Sequence, residues 1–168
     1  MDWDKLVNEH ITWEERNFPE PDKEKSMRHR VFGVMEEAGE LAHAHLKHAQ
    51  DIRGMSTENL FILKARDAIG DVTIYLLGVM GELSYTPDPF IPQWAQKQED
   101  ADRWLLGLGK AVGKLCEHPQ WTPAVHSIVY HLHMYCQAQG WNYEEIVTET
   151  WTKVSQRDWV TDPVAGGE

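Results

Sequence analysis

The chain has 168 residues, enough to bury a core as one domain or as two small halves. Its formal charge of −11 gives no basic field that would attract a nucleic-acid polymer or an anionic membrane, although a local cation would still recruit a small anionic substrate. The start, Met1-Asp2-Trp3-Asp4-Lys5, is not a signal peptide, and no apolar run is long enough to span a membrane, so the expected setting is the cytoplasm.

In chain order, Asp2 or Asp4 is placed to cap a first helix that carries Trp3, Leu6, Val7 and Ile11 on one face and ends near Arg16, before Asn17-Phe18-Pro19. A long amphipathic helix is expected from about Lys25 to Gln50, with Val31, Val34, Met35, Ala38, Leu41 and Leu46 at helical spacing. After a loop over 51–56, Ser56 or Thr57 is placed to cap a third helix from Glu58 to Gly81, apolar almost all round from Val72 and therefore buried. Pro87, Pro89 and Pro92 make 84–92 a loop. Three more helices are expected, at about Glu99–Glu117, Pro123–Gln139 and Tyr143–Arg157, followed by a frayed tail from Thr161. Cys116 and Cys136 fall in apolar helical patterns and are expected to be buried free thiols. No stretch alternates as strands do, so the fold class is all-α, a multi-helix bundle of about six helices forming a single domain over 1–168.

Two acidic groups stand out on the second and third helices. Glu36, Glu37 and Glu40 lie within about 40–60° of one another around the second helix, where like charges repel. Asp67 and Asp71 form an i, i+4 pair on the third. Each group contains a glycine directly before an acid, Gly39 and Gly70, which is unfavourable in a helix interior and points to close helix approach or to room for a ligand. If the two acidic faces meet, cations must offset the repulsion, and oxygen-only ligands favour Mg²⁺, with Mn²⁺ as the alternative. The competing account is two separately solvated faces.

Glu36-Glu37-Ala38-Gly39-Glu40, followed about thirty residues on by Asp67-Ala68-Ile69-Gly70-Asp71, resembles the EExxE and ExxD signature of the MazG-type all-α nucleoside triphosphate pyrophosphohydrolases. The resemblance covers Arg28 to Met80, and the stretch from Gly140-Trp141 to Trp159 is similar to the last helix of such proteins. It implies Mg²⁺-dependent cleavage of an NTP or dNTP to the monophosphate and pyrophosphate. Glu37, Glu40 and Asp71 are the implied metal ligands, and Glu36 is a further ligand or orients or deprotonates the attacking water. The family's second-helix Glu falls on Ala68, which cannot bind metal, and Asp67 is the expected substitute. Basic residues on the last helix of similar proteins serve the phosphates, which points to Lys153 and Arg157. Trp13 and Asn17 are the candidates to stack on and read a base. Sites in similar proteins borrow residues from a neighbouring subunit, so a homodimer is expected.

The second half echoes the first without its acids. Phe32-Gly33 through Glu40-Leu41 aligns with Leu106-Gly107 through Lys114-Leu115, with Lys110, Ala111 and Lys114 in place of the three carboxylates. Val125–Cys136 then parallels Val72–Met80, with His126 or Ser127 near the place of Asp71. This points to an active unit over 28–81, a degenerate repeat over 98–140 and a closing helix over 141–160, arranged as an internal pseudo-dimer. Chance likeness between Gly-containing amphipathic helices is the alternative. Glu40-Leu41-Ala42-His43 also reads as half of a di-iron motif, but its second ExxH partner is missing from the chain, so His43, His45 and His48 are expected to be surface or partly buried residues rather than ligands. The rival to the enzyme is a non-catalytic helical scaffold or nucleotide-binding regulator with a decayed metal site.

Overall fold

The computed structural model describes residues 1–55, 58–87 and 100–163. Six helices follow in order: α1 Trp3–Asn17, α2 Lys23–Ala49, α3 Glu58–Leu83, α4 Ala101–Glu117, α5 Thr122–Gln139 and α6 Tyr143–Val154, with no strand among the described residues. The expected all-α six-helix bundle is what the chain forms. Asp2, Asp22, Asp100 and Asn142 each cap a helix by accepting a bond from a first-turn amide, at Lys5, Lys25, Asp102 and both Glu144 and Glu145 respectively. The expected caps Ser56 and Thr57 lie outside the described residues, as do Pro89, Pro92 and the Glu99 start expected for α4.

α3 is the hub, because its sequence leaves it little polar surface. Ala65, Ala68, Ile69, Val72, Leu76, Leu77, Val79 and Met80 are all buried, and the helix packs on α1, α2, α5 and α6. On one side, Arg30 of α2 reaches Glu14 of α1 through two bonds of 2.9 and 3.0 Å and Glu82 of α3 at 3.5 Å, locking three helices together. On the other, His45 of α2 joins the Tyr135 hydroxyl of α5 at 2.9 Å and the Asp102 carboxylate of α4 at 2.6 Å. His48 bonds the Met55 carbonyl at 2.7 Å and stacks on Phe61. Both histidines are partly buried, as expected.

The two helix pairs of the echo share one packing detail. A Cβ at Gly33 of α2 would run into the Tyr75 ring of α3, and a Cβ at Gly107 of α4 would run into the His131 ring of α5. Each glycine is thus a seat for a ring from the next helix. Aligning the seats puts Lys110 at the place of Glu36, Ala111 at that of Glu37, Lys114 at that of Glu40, and Ser127 at that of Asp71.

Two expectations need correction. Cys136 is buried but Cys116 is exposed, because it stands about 100° around α4 from the buried Leu115. The last helix ends at Val154, three residues short of Arg157. Beyond it the chain tightens, with the Arg157 amide turning back to the Val154 carbonyl at 3.0 Å, and Trp13 and Arg16 of α1 donate to the Arg157 carbonyl.

Candidate functional site

α2 and α3 form the most extensive helix pair, and the two acidic groups lie along it near enough that the other four acids all raise Glu37; this shared surface is the acidic channel. Glu36 and Glu40 of α2 and Asp67 of α3 are exposed, whereas Glu37 and Asp71 are half-buried between the helices. The proximity is read in their titration. Burial is the largest cause pushing Glu37 from its ordinary 4.5 up to about 8, and Asp71, Glu40, Glu36 and Asp67 add to it in that order. Asp71 is pushed from 3.8 up to about 6 by burial first and Asp67 next, with Arg157 pulling it back, Glu40 raising it again and Lys153 lowering it. Glu37 therefore feels the other four acids, and Asp71 feels acids of both helices and the two C-terminal cations.

Elsewhere the fold neutralises its half-buried acids, as Arg30 does for Glu14 and Glu82. In the channel it does not: among the described residues, none of Glu36, Glu37, Glu40, Asp67 and Asp71 has an ion-pair or hydrogen-bond partner. Such a set is costly unless a bound cation offsets it. Its all-oxygen chemistry fits Mg²⁺ or Mn²⁺. The present side-chain positions fit less well, since among the described residues no three Asp, Glu, His or Cys side chains converge tightly enough to hold one ion. Glu36, Glu40 and Asp67 are exposed and, among the described residues, unbonded.

Ala68, at the place of the family's Glu, is 1% exposed and belongs to the core. Asp67 instead faces the channel and raises both Glu37 and Asp71. The two glycines beside the acids have separate reasons. A Cβ at Gly70 would lie 2.7 Å from Cβ and 2.9 Å from Cγ2 of Thr150, so Gly70 is where α6 presses on α3. A Cβ at Gly39 would meet nothing within 4 Å, so the space next to Glu40 is open.

Tyr75 is a site residue that sequence reasoning missed. It is 38% exposed, one turn beyond Asp71, and its phenol pKa is raised, by burial first and then by Glu37, Glu36 and Asp71. The signal was its i, i+4 spacing from Asp71, but only its seat on Gly33 shows that the ring lies along the acids.

Trp13 and Asn17, expected to meet a base, are occupied internally. The Trp13 indole donates to the Arg157 carbonyl at 3.0 Å. Asn17 is 7% exposed, donates to the Trp13 carbonyl at 2.8 Å and accepts from the Trp159 amide at 2.7 Å. The open groove adjoining the acids lies instead between α3 and α6. It has a volume of about 290 Å³ and is lined by Asn59, Ile62, Leu63, Asp67, Ile146 and Lys153, among others. A larger cavity of about 1260 Å³, lined by Lys23, Arg28, Lys114 and Trp121 among others, includes none of the acids.

No family model, curated protein or solved structure matches the chain. Among the described residues no helix is long and apolar enough to cross a membrane.

Proposed function

We propose that the chain is a Mg²⁺-dependent nucleotide pyrophosphohydrolase, converting an NTP or dNTP to the monophosphate and pyrophosphate. The observation that carries this reading is the gathering of Glu36, Glu37, Glu40, Asp67 and Asp71 along the α2–α3 pair, unpaired among the described residues, with Lys153 and Arg157 near enough to lower the Asp71 pKa. The resemblance to MazG-type enzymes supplies the reaction class. The acids of α2 and α3 are the divalent-cation holders, and Mg²⁺ bound there would neutralise the triphosphate and lower the pKa of a bound water. Glu36, or its neighbour Glu37, accepts the proton as water oxygen bonds to phosphorus and the pyrophosphate oxygen departs with the bond electrons. Lys153 and Arg157 meet the phosphate oxygens and hold the leaving group. Tyr75 offers a hydroxyl donor beside the acids. The groove beside Asp67 and Lys153 is the place this reading gives to the nucleoside end. A homodimer is part of the proposal, and the exposed apolar side chains Phe32, Met35 and Leu106 are candidates for its interface.

Incubating the purified protein with Mg²⁺ and a panel of NTPs and dNTPs, scored for pyrophosphate, tests the reading. Turnover lost in Glu37→Gln supports it. Absence of turnover with either Mg²⁺ or Mn²⁺ would favour a non-catalytic scaffold or nucleotide-binding regulator. Two observations lean that way: the buried Ala68 at a ligand position, and acids that do not converge as they stand.

A further inference from the structure

The stretch after α6 is irregular, and Arg157 on it is near enough to Asp71 to lower its pKa. Three bonds from the end of α1 hold this stretch, and a fourth, within α1, orients Asn17. The Trp13 indole N–H donates to the Arg157 carbonyl at 3.0 Å and the Arg16 guanidinium donates to the same oxygen at 3.3 Å. The Asn17 amide oxygen accepts from the Trp159 amide at 2.7 Å, while its NH₂ donates to the Trp13 carbonyl at 2.8 Å. The Trp13 ring is itself fixed by edge contacts with Trp151 of α6 and with Phe18, which in turn packs on Trp159. The Trp159 ring lies 5.8 Å below the Arg157 guanidinium. Backbone and side chain of Arg157 are therefore held from both sides.

We propose that Trp13, Arg16 and Asn17 are positioning residues: α1 clamps residues 157–159 so that Arg157 is presented to the phosphate chain of a bound nucleotide. The inference rests on the reading of the acidic channel given above and extends it to a helix that carries none of the acids. It also gives Trp13 and Asn17 a task other than base recognition. A guanidinium on an unclamped tail would sample many positions, and binding would bear the cost of ordering it. The clamp removes that cost in advance.

Trp13→Phe keeps the ring and deletes one donor. Arg16→Gln perturbs an exposed residue and guards against loss of fold in the first variant. Each is expected to raise KM for the turned-over nucleotide about tenfold with a smaller change in kcat. In an Arg157→Ala background neither substitution should change KM further, a non-additivity that a general loss of stability would not produce. Wild-type KM in both single variants, or full additivity with Arg157→Ala, overturns the proposal. A second readout does not need turnover: Asn17→Ala should speed hydrogen exchange at the Trp159 amide at least about tenfold while core amides keep their protection. Unchanged exchange there overturns the clamp. If the wild-type protein turns over no triphosphate, the reading of the channel fails, and the clamp stands or falls on the exchange result.

Discussion

Gly70→Ala tests the α3–α6 contact that brings Lys153 to the channel. Alanine in place of glycine inside a helix ordinarily gains about 0.8–1.0 kcal/mol. Here the new Cβ would stand 2.7 Å from Thr150 Cβ, an atom that no side-chain rotation removes. Reaching ordinary contact requires α6 to move off α3 by roughly 0.7 Å, and overpacking of this kind costs typically about 1–3 kcal/mol. Because the clash involves a Cβ, the upper part of that range applies, and the net loss is about 1–2 kcal/mol, or roughly 2–8 °C in Tm. Lys153 lies one turn beyond Thr150, so KM for a nucleotide should rise as well. Thermal unfolding followed by circular dichroism measures the first effect. Thr150→Gly removes the opposing Cβ and should recover more than about 1 kcal/mol in the double variant than the single changes predict. Gly39→Ala is the internal comparison: with nothing within 4 Å, it should gain close to the full helix-propensity increment. If Gly70→Ala is stabilised as much as Gly39→Ala, α6 does not press on α3 at this point and the argument for Lys153 goes with it.

Three further outcomes are expected. Glu37→Gln should abolish pyrophosphate release yet raise the Tm of the metal-free protein at pH 8. A carboxyl whose folded pKa is raised from 4.5 to about 8 loses stability progressively as pH climbs between those values, and the amide has no charge to lose; an unchanged Tm would mean that neither burial nor the neighbouring acids penalise the Glu37 carboxylate. His10, 2% exposed, has its pKa lowered to about 4 by burial above all, with Glu14 opposing and Arg30 assisting. The unfolded state then takes up a proton near 6.5 that the folded state refuses until about 4, so stability is full above 6.5 and falls by roughly 3 kcal/mol as pH drops to 4. Denaturant titrations from pH 7 to 4 should show that slope flattened in His10→Phe, and a slope retained in the variant would assign it to another group. Tyr75→Phe should keep the ring on its Gly33 seat and the unfolding free energy within about 0.5 kcal/mol of wild type, while lowering turnover if the hydroxyl meets substrate; equal turnover would limit Tyr75 to packing.

The helices themselves were legible in the residues, because 3.6-residue periodicity and side-chain capping are local. Asp2, Asp22 and Asn142 mark helix starts that are correct to within two residues of those read from the sequence. The meeting of the acids was legible in part. Helical spacing puts Glu37 and Glu40 on one face and Asp67 and Asp71 on another, but only packing decides whether two faces oppose each other or water. The same limit hid the status of Cys116, since a mixed apolar pattern leaves open which edge of the helix the core reaches. It also hid the meaning of the two glycines, identical in local sequence logic, of which one receives Thr150 and the other borders open space.

The sequence by itself determined an all-helical chain, the cap of its first helix to within Asp2 or Asp4, and an uneven placement of carboxylates on the second and third helices. Tertiary structure decided which of these features act together. Arg157 shows the difference. Its sequence pattern continues that of α6, yet the chain leaves the helix after Val154 and tightens into a turn in which the Arg157 amide reaches the Val154 carbonyl. That turn is held by an indole and a guanidinium from α1, more than 140 residues earlier, which donate to the carbonyl of Arg157. A backbone group satisfied by distant side chains leaves no mark in the local sequence, so the direction in which that arginine points is a property of the folded chain alone.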